Sequence, residues 1–450
     1  MSVNISSIGI SGIYAAEAQI AAAESNITNA SNPNYSAESV NLQASAGNGG
    51  LADGVEVLGT VNAQAPYLSS EINSTQATDS YNQALSQATT AAQQILAPSS
   101  GDDLSSAIQG MFDAFTNLSA SPSDSTVGSA AIAALDQFAQ IDQNMSSNLA
   151  SIASGQYSQV SSLVAEVNQA SSQVAQLNQQ ITAVQAGGQS GAALLDQRNA
   201  LVNQLASLVG ATSDAQGDVN MGGVPLVSGA SALTLSTVGS GDSLGLQVNL
   251  LNGILPINVS QLGGTVGGVL AGAASVVQLQ SQVNGIANSL ATALNTQAAS
   301  GYGLDGSTGT ALFTVSGTGG PIAINPSLTE ENLGAASTAS GVPGDGSNAI
   351  ALAGLANSQS LFTSFPNTTP IQAFSSLTAS FGTTVQSASD DQQQAAASVQ
   401  SLTQLQSSIT GVSLNQQLTN LVEYQNVLEA CGQAVQAANN ITTYLIQNLN

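Results

Sequence analysis

Residues 160–184 read VSSLVAEVNQASSQVAQLNQQITAV, and their spacing decides the architecture. Val160, Leu163, Val167, Ala170, Val174, Leu177, Ile181 and Val184 follow one another in alternating steps of three and four. Such a stripe stays on one side of an α-helix and packs as coiled coils do. Leu135, Met145, Leu149 and Ile152 carry it backward, and Gly187-Gly188 ends it. At about 1.5 Å per residue, the roughly 50 residues from Ala134 make a helix about 75 Å long, too long for a compact globule. The sequence predicts a rod.

Working outward, a second heptad closes the chain: Leu414, Leu418, Leu421, Tyr424, Leu428, Cys431, Val435, Ala438, Ile441, Leu445 and Leu449. In that seam Cys431 is expected to act as a small apolar residue, and a lone cysteine cannot close an internal disulfide. The N-terminus has a thinner stripe of Ile5, Ile8, Gly12, Ala16, Ile20, Ala23 and Ile27, with Ile13 beside it. Its small residues admit a close neighbour but bury little. A buried Ile contributes roughly 1.5–3 kcal/mol, while ordering each backbone residue costs about 1–2 kcal/mol. This segment therefore needs a partner. Leu104 to Leu118, Ala192 to Val209, the series from Val276 to Leu294 and the run from Phe374 to Ile409 are further amphipathic helices. Both chain ends are expected to lie together at one end of the rod.

Two stretches break the helical pattern. In residues 211–262, Leu244, Leu246, Val248 and Leu250 alternate. Asn252-Gly253 then signals a hairpin before Ile254 to Val259, so a small antiparallel β-domain is expected. Residues 301–347 are rich in Gly, Ser, Thr and Pro, with Phe313-Thr314-Val315 and Ile322-Ala323-Ile324 as short strands at best. The expected fold class is mainly α: a long-helix bundle with a small inserted antiparallel β-domain.

Composition excludes much chemistry. The 450 residues contain 26 acidic side chains, one basic side chain and no histidine, for a net charge of −25. Nucleic-acid binding requires many Lys and Arg, and Ser-His-Asp catalysis or an imidazole metal site requires histidine. No apolar run is long enough to span a membrane, and Met1-Ser2-Val3-Asn4-Ile5 lacks a basic start, so neither a membrane anchor nor a Sec-type signal is expected. At about pH 2–3, where carboxylates are mostly neutral, the side chains would carry about one positive charge, against roughly 50 in an ordinary chain of this length. A surface bathed in acidic medium is the expectation.

The carboxylate pairs Asp102-Asp103, Glu330-Glu331 and Asp390-Asp391 fit helix starts, where the dipole favours negative charge, better than a glycosidase cleft. The loop from Gly301 to Gly309 is an ordered turn rather than an EF-hand, because its twelfth position from Asp305 is Ser316. Arg198, in LLDQR, is expected to form a structural ion pair or a carbonyl clamp in the bundle, with a carboxylate on a neighbouring helix as the expected partner, since Asp196 points elsewhere. No catalytic, cofactor or metal residue is expected.

The stretch Ser25-Asn26-Ile27-Thr28-Asn29-Ala30-Ser31-Asn32-Pro33-Asn34-Tyr35-Ser36 resembles the N-terminal signature of bacterial flagellar axial proteins, with Asn34 where glycine is usual and Ala37 where a base is usual. Leu194 to Leu205 (LLDQRNALVNQL), Asn295-Thr296-Gln297 with Gly301 to Phe313, and Ile409 to Asn415 running into Tyr424 resemble, in order, segments of the hook-associated protein 1 family, the hook–filament junction proteins. The resemblance covers most of the chain. Its middle is shorter than in the longer members, implying that one outer subdomain is reduced or absent.

That resemblance implies a structural adaptor polymerised as a ring between hook and filament, exported unfolded through the flagellar type III channel to an extracellular position. Its implied partners are copies of itself, hook protein, a second junction protein and a cytosolic export chaperone on the helix from about Leu414 to Asn450. Residues Ile5, Ile8, Ile13, Ile20, Ile27, Tyr35, Leu414, Leu418, Leu421, Leu428, Val435, Ile441 and Leu445 would build the inner tube. The implied organisation is an N-terminal axial segment, 1–45, pairing with 411–450, then the first half of the bundle, 46–210. The β-domain, 211–262, a bundle helix, 263–300, the Gly/Ser-rich region, 301–347, and further bundle helices, 348–410, follow. Another axial protein (flagellin, hook or rod type) and a secreted acidic surface adhesin are the alternatives, the latter with no need for solitary terminal heptads.

Overall fold

Helices α1 (Ser2–Asn29), α2 (Pro66–Leu96), α3 (Leu104–Ala120), α4 (Ser125–Ala186), α5 (Ala192–Val209), α6 (Gly264–Ala299), α7 (Ser347–Gly354), α8 (Pro370–Thr410) and α9 (Leu414–Asn448) dominate the chain. This is a computed structural model, and it describes residues 2–32, 35–46, 52–63, 65–97, 103–187, 191–250, 253–315 and 319–448. The rod helix α4 runs for 62 residues, about 93 Å of rise. Its start is fixed by Asp124, whose carboxylate accepts from the Thr126 N–H at 2.8 Å. Helix α8 starts with a capping box, Thr369 and Gln372 bonding each other's backbone, with Pro370 in its first turn. Helix α5 ends at Gly210, which is left-handed.

Two hydrophobic cores follow one another along α4. The first gathers α3, the front of α4, the rear of α6, α7 and the front of α8. Phe115 and Phe138 are fully buried there, and Phe138 meets Phe313 edge-to-face with ring centroids 5.7 Å apart. The second packs Val160, Val167 and Val174 of α4 with Val202 and Leu205 of α5 and the front of α6.

The expected β-domain closes that second core. One sheet has β3 (Thr212–Ser213), β4 (Val219–Met221), β5 (Val224–Ser228) and β6 (Ser231–Ala232) in sequence order, and the other has β7 (Thr234–Val238), β8 (Gly245–Leu250) and β9 (Gly253–Ile257). Strands β8 and β9 pair from Leu246 opposite Ile257 to Leu250 opposite Gly253. Asn252 of the anticipated hairpin turn lies outside the described residues.

Asparagine side chains fasten the irregular backbone to the helices. Asn168 of α4 both accepts from the Leu235 N–H and donates to the Leu235 carbonyl, each at 2.8 Å. Asn178, further along α4, donates to the carbonyls of Gly217 at 2.9 Å and Gly229 at 2.8 Å. Asn295 of α6 accepts from the N–H groups of Leu312 and Phe313 and donates to the Phe313 carbonyl. The Phe313 strand is β10 (Phe313–Thr314), paired with β11 (Ala323–Ile324).

Several expectations need correction. Residues 1–45 are not one axial helix, because β1 (Glu38–Ala46) and β2 (Ala52–Asn62) form an antiparallel hairpin across the expected 45/46 boundary. Asp390 and Asp391 sit inside α8 rather than at its start, where Asp390 accepts from Gln386 one turn earlier at 2.7 Å. Glu330 and Glu331 lie in a turn, and the Glu330 carboxylate is bonded by the Ser129 hydroxyl near the start of α4. Asp103 does cap α3, accepting from the Ser106 N–H at 2.8 Å; Asp102 lies outside the described residues. Asp305 is spanned by the Ser307 N–H and hydroxyl, an ordered Asx turn.

Candidate assembly interface

Helices α1 and α9 bring the chain ends together as an antiparallel pair. Gly9 faces Val435 and Gly12 faces Cys431, so closely that a Cβ on either glycine would come within 2.6 and 2.7 Å of the opposing side chain. The small residues thus do what the sequence suggested, letting one backbone approach the other. The Cys431 sulfur fills the gap over Gly12. The β1–β2 hairpin backs α1 on a second side. There Gly54, at φ +109, lies so close to Ser11 that a side chain would collide with it, and the Val55 N–H donates to Ser11 Oγ at 3.1 Å.

The pair leaves much of its apolar surface bare. In α9 Ala438 is the single buried residue among those described. Leu421, Leu428 and Val435 are partly covered by α1, whereas Leu414, Leu418, Ile441 and Leu445 are about half exposed. The cause lies in the spacing. Steps of three follow each other at Leu418–Leu421–Tyr424 and at Val435–Ala438–Ile441, so the stripe winds round the helix and a single straight partner covers only its middle. On α1, Ile13, Ile20 and Ile27 are partly covered, Ile8 is exposed, and the Ile5 side chain lies outside the described residues. Ile10, Tyr14, Val422, Val427, Tyr444 and Ile446 add to the exposed apolar surface.

Where the pair joins the bundle, the signature residues assemble a polar node. Tyr35 Oη donates to Asn26 Oδ1 at 2.9 Å. Asn26, almost fully buried, also accepts from the Glu38 N–H and donates to the Glu38 carbonyl, both at 2.8 Å. The Ser36 N–H donates to Asp196 Oδ2 at 3.2 Å, and Asn62 Nδ2 donates to Asp196 Oδ1 at 2.9 Å. The Ala37 N–H donates to the Thr410 carbonyl at 2.8 Å. One carboxylate on α5 therefore holds the beginning of β1 and the end of β2, and the end of α8 binds the same strand. Pro33 and Asn34, the centre of the signature turn, lie outside the described residues.

The node has a proton preference. Burial pushes the Asp196 carboxyl up, partly offset by the donors from Ser36 and Asn62. Burial pushes Glu38 up as well, reinforced by the Asp196 charge, and Tyr35 is raised for the same first reason. Sequence reasoning dismissed Asp196 as pointing away from Arg198. It does, and it meets residues 134 and 160 positions upstream in the chain instead, which local spacing cannot reveal.

Arg198 bonds an amide carbonyl rather than a carboxylate, the second of its two expected forms. Its Nη1 donates to Asn178 Oδ1 on the neighbouring helix at 3.4 Å. Burial lowers its pKa, countered by the field of Asp214 in the β-domain. The expected structural ion pair is replaced by a relay in which Arg198 orients the amide that clamps Gly217 and Gly229.

Residues 89–313, half of the chain, match the family described as the flagellar hook-associated protein FlgK helical domain. The chain belongs to the FlgK family. The structure of the flagellar hook junction protein FlgK from Burkholderia pseudomallei is similar in fold, with a TM-score of 0.64 and 17% identity over 77% of this chain and 100% of that one. No curated protein matches the sequence. Membership gives the chain a structural, flagellar hook-associated role. The matched residues hold α3 to α6 and the β-domain, whereas α1, most of α2, α7, α8 and α9 lie outside them.

Proposed function

We propose that this chain is a non-catalytic adaptor subunit of the hook–filament junction, and that α1 and α9 complete their packing only between neighbouring copies. The observation that carries this reading is the half-bare α9, whose Leu414, Leu418, Ile441 and Leu445 stand exposed at its two ends. A two-helix contact built on glycine and alanine stabilises little, and a neighbour in a ring would cover what α1 cannot. The inner-tube residues are accordingly Ile5, Ile8, Ile13, Ile20, Ile27 and the α9 seam, with Tyr35 anchoring them to the bundle. The partners are further copies of the chain, hook protein and a second junction protein. Passage as an unfolded chain through the flagellar export channel, with a chaperone on Leu414 to Asn450, fits a terminal helix of such slight intrinsic burial. An acidic external medium fits the raised carboxyls at the node.

Deletion of residues 1–40 or 411–450 tests the proposal. Incorporation between hook and filament should be lost while the remaining bundle keeps its cooperative melt. A truncated chain that still assembles would overturn it.

A further inference from the structure

A buried polar pocket between α4 and α6 is unused by any role described above. Its cover is the segment 311–315 and 319–325, whose Leu312, Phe313 and Ile322 are buried against both helices. Asp142 of α4 is fully buried beneath it and accepts one hydrogen bond, from the Ile322 N–H to Oδ2 at 2.9 Å. Gln143 holds the Ile322 carbonyl at 2.8 Å. From the α6 side, Asn284 and Asn288 donate to the carbonyls of Gly319 and Gly320 at 3.0 and 2.7 Å. Three buried oxygens around this segment, Asp142 Oδ1, Asn284 Oδ1 and Asn288 Oδ1, have no donor. Helices α4 and α6 run antiparallel here, with Gln280 on Ser146 and Phe313 between Asn295 and Phe138, which sets Asp142 level with Asn284 and Asn288.

We propose that Asp142 is an acid-closed lock on this segment: the neutral carboxyl seats it over α4 and α6, and the ionised carboxylate releases it. An ionised carboxylate with one hydrogen bond and no counter-charge is costly to bury, and the relief nearest to hand is water admitted by lifting Ile322. A neutral carboxyl brings an O–H donor into a pocket of unpaired acceptors. Nothing else there can supply a proton. Helix α6, α7, the covering segment, α2 from Asn82 onward and α8 up to Ser389 carry no titratable side chain. Asp113 of α3 is exposed, Asp103 caps α3, and Asp136 of α4 is bonded by Gln140. Burial raises the Asp142 pKa to about 7, against the weaker pull of the Ile322 N–H. A raised acid stabilises the closed state below its open-state value and loses that contribution as pH rises through about 7.

Amide exchange of the full-length chain, corrected for intrinsic rates, tests the lock. Protection of the Ile322 and Asn325 amides should fall by on the order of tenfold to a hundredfold between pH 5 and pH 8, while Ala287 within α6 stays protected. In Asp142→Asn, whose amide supplies a permanent donor, that pH dependence should vanish. Unchanged protection across the range in the wild type, or the same dependence surviving in D142N, would overturn the proposal. Should D142N fail to fold, carbon-13 titration of labelled aspartates in the wild-type chain decides. A carboxyl titrating above pH 6 is expected, and its absence overturns the lock.

Discussion

The bundle and the axial pair solve opposite problems with the same chain. Around α4, Phe115, Phe138, Leu135 and Leu149 are fully enclosed, and each such side chain contributes roughly 1.5–3 kcal/mol. Along α1 and α9 small residues such as Gly9 and Gly12 let the backbones approach, and the large apolar side chains are partly covered at best. The difference teaches that exposure here follows from a stripe too twisted for one partner, not from lack of apolar residues. The bundle is finished in a single chain; the pair, on the proposed reading, is half of an interface.

Substitutions should break that contrast unequally. Phe138→Ala opens a cavity in the first core and should cost about 3–5 kcal/mol, read as a lower melting temperature of the whole bundle. Gly12→Leu drives a side chain into Cys431 and should cost about 1–3 kcal/mol, confined to α1 and α9. Amide exchange would show both helices unprotected and the bundle unchanged; a global loss of stability would mean that pair and bundle fold as one unit. Asp196→Ala removes the acceptor for Ser36 and Asn62 and should cost about 1–2 kcal/mol, the site being only partly buried. Arg198→Ala should cost about 1 kcal/mol or less, because a long bond to an amide is lost instead of an ion pair. A larger loss for Arg198 than for Asp196 in the same urea titration would reverse their order. Leu418→Ser should change isolated-chain stability by less than about 0.5 kcal/mol and yet abolish assembly, the sharpest separation of the two regions.

Acidity should act on the joint between them. Asp196 and Glu38 both have raised pKa values in the folded chain, so their contribution is present below their unfolded values and fades as pH rises through the folded ones. The carboxyls of Asp345, Glu330 and Asp305 are lowered by serine hydroxyl and backbone donors and pull the other way. Protection of the Ser36 amide should therefore be greater at pH 4.5 than at pH 7.5, and a reversed order would contradict the node geometry.

The parts legible in the sequence were those whose energetics are local. Helix α5 was expected over Ala192 to Val209 and spans those residues, because its apolar face and terminal glycine are contiguous. The alternation at Leu246 and Val248 likewise announced β8. Helix α2 gave no comparable stripe, since the face it buries is Ala77, Ser80, Ala84, Ala88, Thr89 and Ala92, residues that periodicity of large side chains cannot detect. The β1–β2 hairpin was visible in the alternation of Val40, Leu42 and Ala44 and was masked by the reading of the N-terminus as helix alone. At the node the signal is absent altogether, for Asp196 finds its partners only once α5 and the hairpin have met.

Fastening by asparagine has a consequence for how the molecule responds to electrolyte. Asn168, Asn178 and Asn295 hold strands and turns through amides that carry no charge, and the one guanidinium bonds to an amide too. Counter-ions therefore find little attraction to weaken and 26 like charges whose mutual repulsion they can dampen. Brine and rainwater would act on this subunit in one direction, the saltier medium drawing it tighter.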